Sequence, residues 1–165
     1  MSCCDRRLTR RVALLGLLAL AGCGFAPVYG PGGPGHALRG SIRLPAPTDI
    51  DSHALNARLE ERLGPETAAR YDLAHDLRVA VVEQGITPEQ VTTRYALNGT
   101  LEFTLTEQAS GRMVTQGAVS AFTSYSATGS TIATTAAEAD ARRRLMQMLA
   151  DQLVARLIAT VRDGR

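Results

Sequence analysis

Cys23 is the residue best placed for a defined reaction. The stretch Leu20-Ala21-Gly22-Cys23 sets small residues directly before a thiol. That order suits a cut in narrow, extended backbone, with the sulfur receiving a diacylglyceryl group. Catalytic groups are sparser. The histidines are His36, His53 and His75. His36 falls in a Gly/Pro-rich stretch and His53 in the first turn of a predicted helix. His75 has Asp72 and Asp76 nearby, a set that could hold a metal, but no second histidine stands at ligand spacing. A solvated histidine close to a turn is the expectation. No Gly-x-Ser-x-Gly elbow, phosphate loop or His-Glu-x-x-His is present. No catalytic set and no cofactor is therefore expected.

Arginines are the remaining polar candidates, because the chain has no lysine. Arg142-Arg143-Arg144 points in three directions around one helix, which reads first as a solvated face. Guanidinium also binds phosphate bidentately, so Arg142 and Arg143 are candidates for an anionic ligand or an acidic partner. Arg78, Arg94 and Arg112 lie on strands or at a turn. They are candidates to meet an anionic lipid head from the wet face of a sheet, with structural ion pairs as the commoner use.

The segment before Cys23 explains its chemistry. Arg6, Arg7, Arg10 and Arg11 precede an apolar run from Val12 to Ala21. A charged head, a short apolar middle and small residues at the cut form a secretion signal, here residues 1–22, and the whole matches the lipobox of bacterial lipoproteins. Thr9-Arg10-Arg11-Val12 is a partial twin-arginine pattern, read as an ordinary basic head. The apolar middle is too short to span a bilayer, which takes about 20 residues. Removing four arginines and Asp5 leaves 14 arginines against 15 acids, a net charge of −1. The basic character of the full chain is thus a targeting feature and does not argue for nucleic-acid binding. Cys3 and Cys4 leave with the signal, so the processed chain has no second cysteine for a disulfide. Several acyl chains on Cys23 would hold firmly, at roughly 0.8 kcal/mol per buried methylene. Gly24, rather than Asp, follows the lipid site; by the sorting rule of Gram-negative lipoproteins this points to the outer membrane.

The elements after the anchor follow from periodicity. Six glycines and three prolines between Gly24 and Gly40 argue against regular structure, so residues 23–40 read as a lipidated tether. Phe25, Pro27, Val28 and Tyr29 are too apolar for a pure spacer. Residues 41–165 read as a single domain. Ser41–Leu44 is a short predicted strand. A helix follows, capped by Asp51 or Ser52, with Leu55, Leu59 and Leu63 in one stripe and Gly64-Pro65 as its stop. Tyr71–Glu83, Arg94–Thr106 and Met113–Tyr125 are predicted strands, the second with strict alternation over Tyr95, Leu97, Leu101, Phe103 and Leu105. Ala109-Ser110-Gly111 suits a hairpin turn. Thr135-Ala136-Ala137-Glu138 reads as a capping box opening a helix to about Val161, with Leu145, Met146, Leu149, Leu153, Leu157 and Val161 on its apolar side. The order β-α-β-β-β-α predicts an α+β two-layer sandwich: a four-stranded, mainly antiparallel sheet with two helices packed on one face.

These features together resemble the LPS-assembly lipoproteins, the LptE family, in its alphaproteobacterial form. The residues that carry the resemblance are Leu20-Ala21-Gly22-Cys23-Gly24-Phe25, Pro27-Val28-Tyr29-Gly30, Arg94-Tyr95-Ala96-Leu97, Phe122-Thr123-Ser124-Tyr125-Ser126 and the helix end Leu149-Ala150-Asp151-Gln152-Leu153. The resemblance implies a non-enzymatic protein, lipid-anchored on the periplasmic side of the outer membrane. It implies a plug and assembly partner of the LptD β-barrel that binds lipopolysaccharide in transit. Two other readings share the anchor: an auxiliary subunit of a lipid-trafficking transporter, and a tethered periplasmic hydrolase, which the missing nucleophile and base weaken. Cys23→Ser is expected to abolish acylation; intact-mass spectrometry that still finds fatty acid on the variant would move the cut site elsewhere.

Overall fold

The computed structural model describes Gly30, residues 33–86 and residues 92–163. The expected signal peptide, Cys23 and the apolar residues Phe25 to Tyr29 lie outside the described residues. In chain order the elements are α1 (Pro34–Leu38), β1 (Ile42–Arg43), α2 (Ile50–Leu63), β2 (Tyr71–Ile86), β3 (Thr92–Glu107), β4 (Met113–Ser126) and α3 (Thr131–Asp163). The four strands form one sheet in the order β1-β2-β3-β4. It is antiparallel except that β1 runs parallel to β2, with Ile42 beside Tyr71. The exception follows from chain order: α2 lies between β1 and β2, and parallel neighbours need such a crossover.

Alternation in β3 sets which face is buried. Leu97, Leu101, Phe103 and Leu105 point to the helices and are buried, while Asn98, Thr100 and Glu102 are exposed on the other side. Both α2 and α3 cover the same face, with Leu55, Leu59 and Leu63 from α2 joining Leu145, Met146, Leu149, Leu153 and Leu157 from α3 in one core. Each fully buried leucine contributes roughly 1.5–3 kcal/mol. The stripe read from the sequence is this buried stripe, apart from Val161, whose side chain lies outside the description. Gly99 interrupts the leucines of β3 where α3 crosses. A Cβ there would stand 2.9 Å from Leu149 Cδ1 and 3.1 Å from Leu145 Cδ2, so a side chain at this position must displace those leucines.

Three local expectations need correction. The cap of α2 is Asp49, not Asp51 or Ser52. Asp49 Oδ1 accepts from the Ser52 N–H at 2.6 Å, and Ser52 Oγ accepts from the Asp49 N–H at 2.9 Å. Ser52 is thus the reciprocal partner inside the first turn, and its N–H holds the Asp49 carboxyl below the ordinary range. Likewise, α3 starts at Thr131, before the Thr135–Glu138 box. The Thr135 hydroxyl donates to Thr131 O at 3.0 Å, a bond available only inside a helix, and Ser130 Oγ accepts from the Ala133 N–H at 3.3 Å at the true start. Finally, residues 34–38 form a short helix within the Gly/Pro-rich lead, because Pro34 suits a first helical turn and Leu38 is fully buried against the core.

His75 is neither solvated nor near a turn. It sits mid-strand opposite Phe103 on the helix-facing side, half-buried, with Nε2 3.1 Å from Asn56 Oδ1. Asn56 uses its amide nitrogen on Pro45 O at 2.7 Å, which leaves its oxygen to accept from His75. Strand alternation sends Asp72 and Asp76 to the opposite face, so the three cannot converge on a metal. No group of three potential metal ligands occurs among the described residues.

Gly99→Ala is expected to cost about 1–3 kcal/mol in urea unfolding, since its Cβ must displace the fully buried Leu145 and Leu149. Gly117→Ala is the matched control: its Cβ meets only Phe103 at 3.4 Å, and equal losses for both would show that helix depth is not set at Gly99. Burial pushes the His75 pKa below its ordinary value of 6.5. The unfolded chain therefore protonates first, and stability present above that pH is lost as pH falls through it. Unfolding midpoints between about pH 7.5 and about pH 5 should fall more steeply for the native chain than for His75→Gln. Parallel slopes would exclude His75 as the source.

Candidate functional site

Among the described residues one face of the sheet is bare, and strand register fixes what it displays. Opposed across β2, β3 and β4 are Asp76–Glu102–Ala118, Arg78–Thr100–Ser120, Ala80–Asn98–Phe122, Val82–Ala96–Ser124 and Gln84–Arg94–Ser126. Its middle is polar and charged. Arg78 Nη2 lies 2.8 Å from Asp76 Oδ2 and its Nη1 3.7 Å from Glu102 Oε1. Small side chains at Ala74 and Ala118 leave a shallow concavity of about 700 Å³ there, also lined by Glu102, Thr104 and Gln116. Towards the end of the sheet far from β1 the face turns apolar. Val82 and Phe122 are exposed, Phe122 by 76% of its surface. Arg94 stands one pair beyond Ala96 and has no ion-pair partner among the described residues.

The five candidate arginines do not form one patch. Arg78 and Arg94 share the bare face but are separated by six strand positions, about 20 Å. Arg112 lies at the opposite end, in the β3–β4 turn, with Nη2 3.8 Å from Glu107 Oε2. Ser110 and Arg70 also bond Glu107 and hold its carboxyl below the ordinary range.

Arg142 is not on a solvated face. It bridges α3 to α2, with Nη1 2.8 Å from Asp51 Oδ2 and Nε 3.1 Å from Glu138 Oε1. Tyr125, stacked on Tyr95 at 5.3 Å, lies beneath this network, and burial raises its hydroxyl pKa. A second bridge joins the helices lower down, where Arg58 Nη2 lies 3.0 Å and Arg62 Nε 3.5 Å from the Asp151 carboxylate. Arg143 and Arg144 are exposed and both meet Asp140. Of the five, then, Arg142 is structural, Arg78, Arg112 and Arg143 are exposed but engaged, and Arg94 is uncommitted.

The exposed apolar residues Val82 and Phe122, on β2 and β4 of the face that carries Arg94, escaped the sequence reading. Phe122 was visible only as one apolar residue in an apolar strand; which face it occupies depends on register. Near the start of the helices, Ile50 and Ile132 are also exposed, by 87% and 83%. Ile50 lines a cavity of about 780 Å³ between α2 and α3 with Asp49, Asp51, Glu138 and Arg142. No helix among the described residues is long and apolar enough to cross a membrane.

No curated protein matches the sequence significantly. Among solved structures, a lipoprotein of Caulobacter crescentus CB15 superposes with a TM-score of 0.66 at 19% identity, over 80% of this chain and 98% of that one. The rare lipoprotein B of Shewanella oneidensis gives a TM-score of 0.56 at 12% identity, over 75% and 96%. A minor lipoprotein of Acinetobacter baumannii gives 0.51 at 20% identity, over 72% and 89%. These likenesses establish a shared fold. The sequence itself matches the model of the LptE family, described as lipopolysaccharide-assembly, over residues 40–157, from just before β1 to the last buried leucine of α3. With most of its length inside that match, the chain belongs to the LptE lipopolysaccharide-assembly family.

Proposed function

We propose that this protein is an outer-membrane lipoprotein, anchored through Cys23 on the periplasmic side. It acts as plug and assembly partner of an LptD-type β-barrel and binds lipopolysaccharide. The observation that carries the reading is the bare sheet face. Burying one face of a sheet under two helices and leaving the other uncovered suits a partner that is itself wet inside. Barrel lumens are polar, and the central rows of Asp76, Arg78, Thr100, Glu102 and Ser120 match such a lining. Nine residues lie between Cys23 and Gly33, so at most about 35 Å of chain joins an anchor at Cys23 to the start of α1.

Lipopolysaccharide combines acyl chains with phosphate, and one place on the bare face offers both kinds of contact. Val82 and Phe122 supply exposed apolar surface, and Arg94, about 7 Å along the sheet from Val82's row and about 14 Å from Phe122's, supplies a guanidinium that meets no carboxylate among the described residues. Arg78, Arg112 and Arg143 are secondary contacts, because each would first have to release a carboxylate. Arg142 contributes by holding the helices together.

Two measurements test this. A large outer-membrane β-barrel should co-purify with the protein after mild solubilisation, and its absence would remove the plug role. Purified protein should bind lipopolysaccharide, and Arg94→Ala should weaken binding about 3–10-fold, the loss of one charge-assisted contact, with unchanged melting. Equal affinity in Arg94→Ala would place the glycolipid elsewhere.

A further inference from the structure

The sheet ends on a strand that is unusually open to pairing. Among the described residues β4 is the edge strand, and its 14 residues, Met113–Ser126, include no charged residue and no proline. Proteins generally blunt an edge with charges, proline or bulges, because its free N–H and C=O groups template further strands. Here the one register irregularity lies at Leu105/Thr106, so the edge is regular from Thr115 to Ser126. The free flank of β2, beyond its short pairing with β1, is protected differently and carries Asp76, Arg78 and Glu83.

Beside the middle of β4 runs a groove of about 450 Å³ between the strand and α3. It is lined by Ala118, Val119 and Ser120 on one side and Gln152, Ala155, Arg156 and Ala159 on the other. The alanines leave room on the helix side for the side chains of an added strand. Arg156 is exposed and, among the described residues, its guanidinium meets no carboxylate, whereas Arg142, Arg143 and Arg144 of the same helix all do.

We infer that β4 accepts an extended acidic segment of a partner protein as a fifth strand, its backbone pairing with the free edge and its carboxylate meeting Arg156. Charge decides between this occupant and a second copy of the chain. Full-length antiparallel pairing of two β4 strands would place the twofold axis between Val119 and Ser120 and bring two unpaired Arg156 side chains together. Like charges there oppose the homodimer, while one acid on a partner satisfies the site. The docking does not depend on lipopolysaccharide binding, since it uses neither the bare face nor Arg94.

The test uses the processed, lipidated chain in detergent micelles. The probe is a synthetic peptide of about a dozen alternating Thr and Val residues with one central Asp, set against a twin with Lys in that place. The Asp peptide should bind about tenfold tighter than its twin and slow amide exchange over Thr115–Ser126 while leaving Tyr71–Ile86 unchanged. Arg156→Glu should reverse the preference without changing the melting temperature, and Arg156→Lys should retain it. Equal affinity for the two peptides, no binding at millimolar concentration, or protection on β2 would overturn the proposal. So would protection of β4 that rises with protein concentration alone, which would make a second copy the occupant.

Discussion

The long helix α3 lying across the buried face of the sheet is the contact on which the rest of the molecule depends. At 33 residues it is about 50 Å long, close to the length of the 16-residue strands it covers. Its leucines reach β3 on either side of Gly99, and its polar side holds α2 through Arg142 and Asp151. Lift α3 away and three apolar surfaces meet water at once: its own stripe, the row Leu97–Leu105, and the inner side of α2. The two helix-to-helix bridges do not drive this packing. Partly exposed ion pairs each contribute little, and their effect is to fix how the helices sit on the sheet.

Covering one face commits the other to a partner or to water. The bare face is not a leftover core. Its centre carries an ion-pair network around Arg78, and only its far end, with Val82, Phe122 and Arg94, departs from a solvated surface. That gradient along a single face is what separates the two roles proposed for it. The polar rows suit the proposed wet lining, and the apolar end suits the proposed amphiphile, with a guanidinium that meets no carboxylate among the described residues. The β4 edge is a third surface, set at right angles to the others in its chemistry, because it offers backbone groups more than side chains.

Much of the fold could be read before the structure was seen. Unbroken alternation in β3 and the i, i+4 spacing of Leu145, Leu149, Leu153 and Leu157 each have one physical solution, so the strand, the helix and the two-layer sandwich followed. Element ends were harder. Ser52 and Asp51 looked like caps because their side chains can serve as caps anywhere near a helix start; Asp49 won through the reciprocal bond with Ser52. His75 misled for a related reason. Its acidic neighbours in sequence suggested a polar site, yet they lie across the sheet, and its actual partner, Asn56, comes from α2.

The sequence by itself determined the lipidation motif as an expectation, the order of the four strands and the two long helices, the apolar stripes that face the core, and the absence of any lysine. These depend on local spacing, and spacing is written in one dimension. Only the tertiary structure decided which arginines are engaged, that Phe122 and Val82 share the face away from the helices, and that β4 is the edge strand among the described residues. A guanidinium is free or held according to carboxylates that arrive from other elements. A strand is an edge or an interior strand according to pairings made across the whole chain.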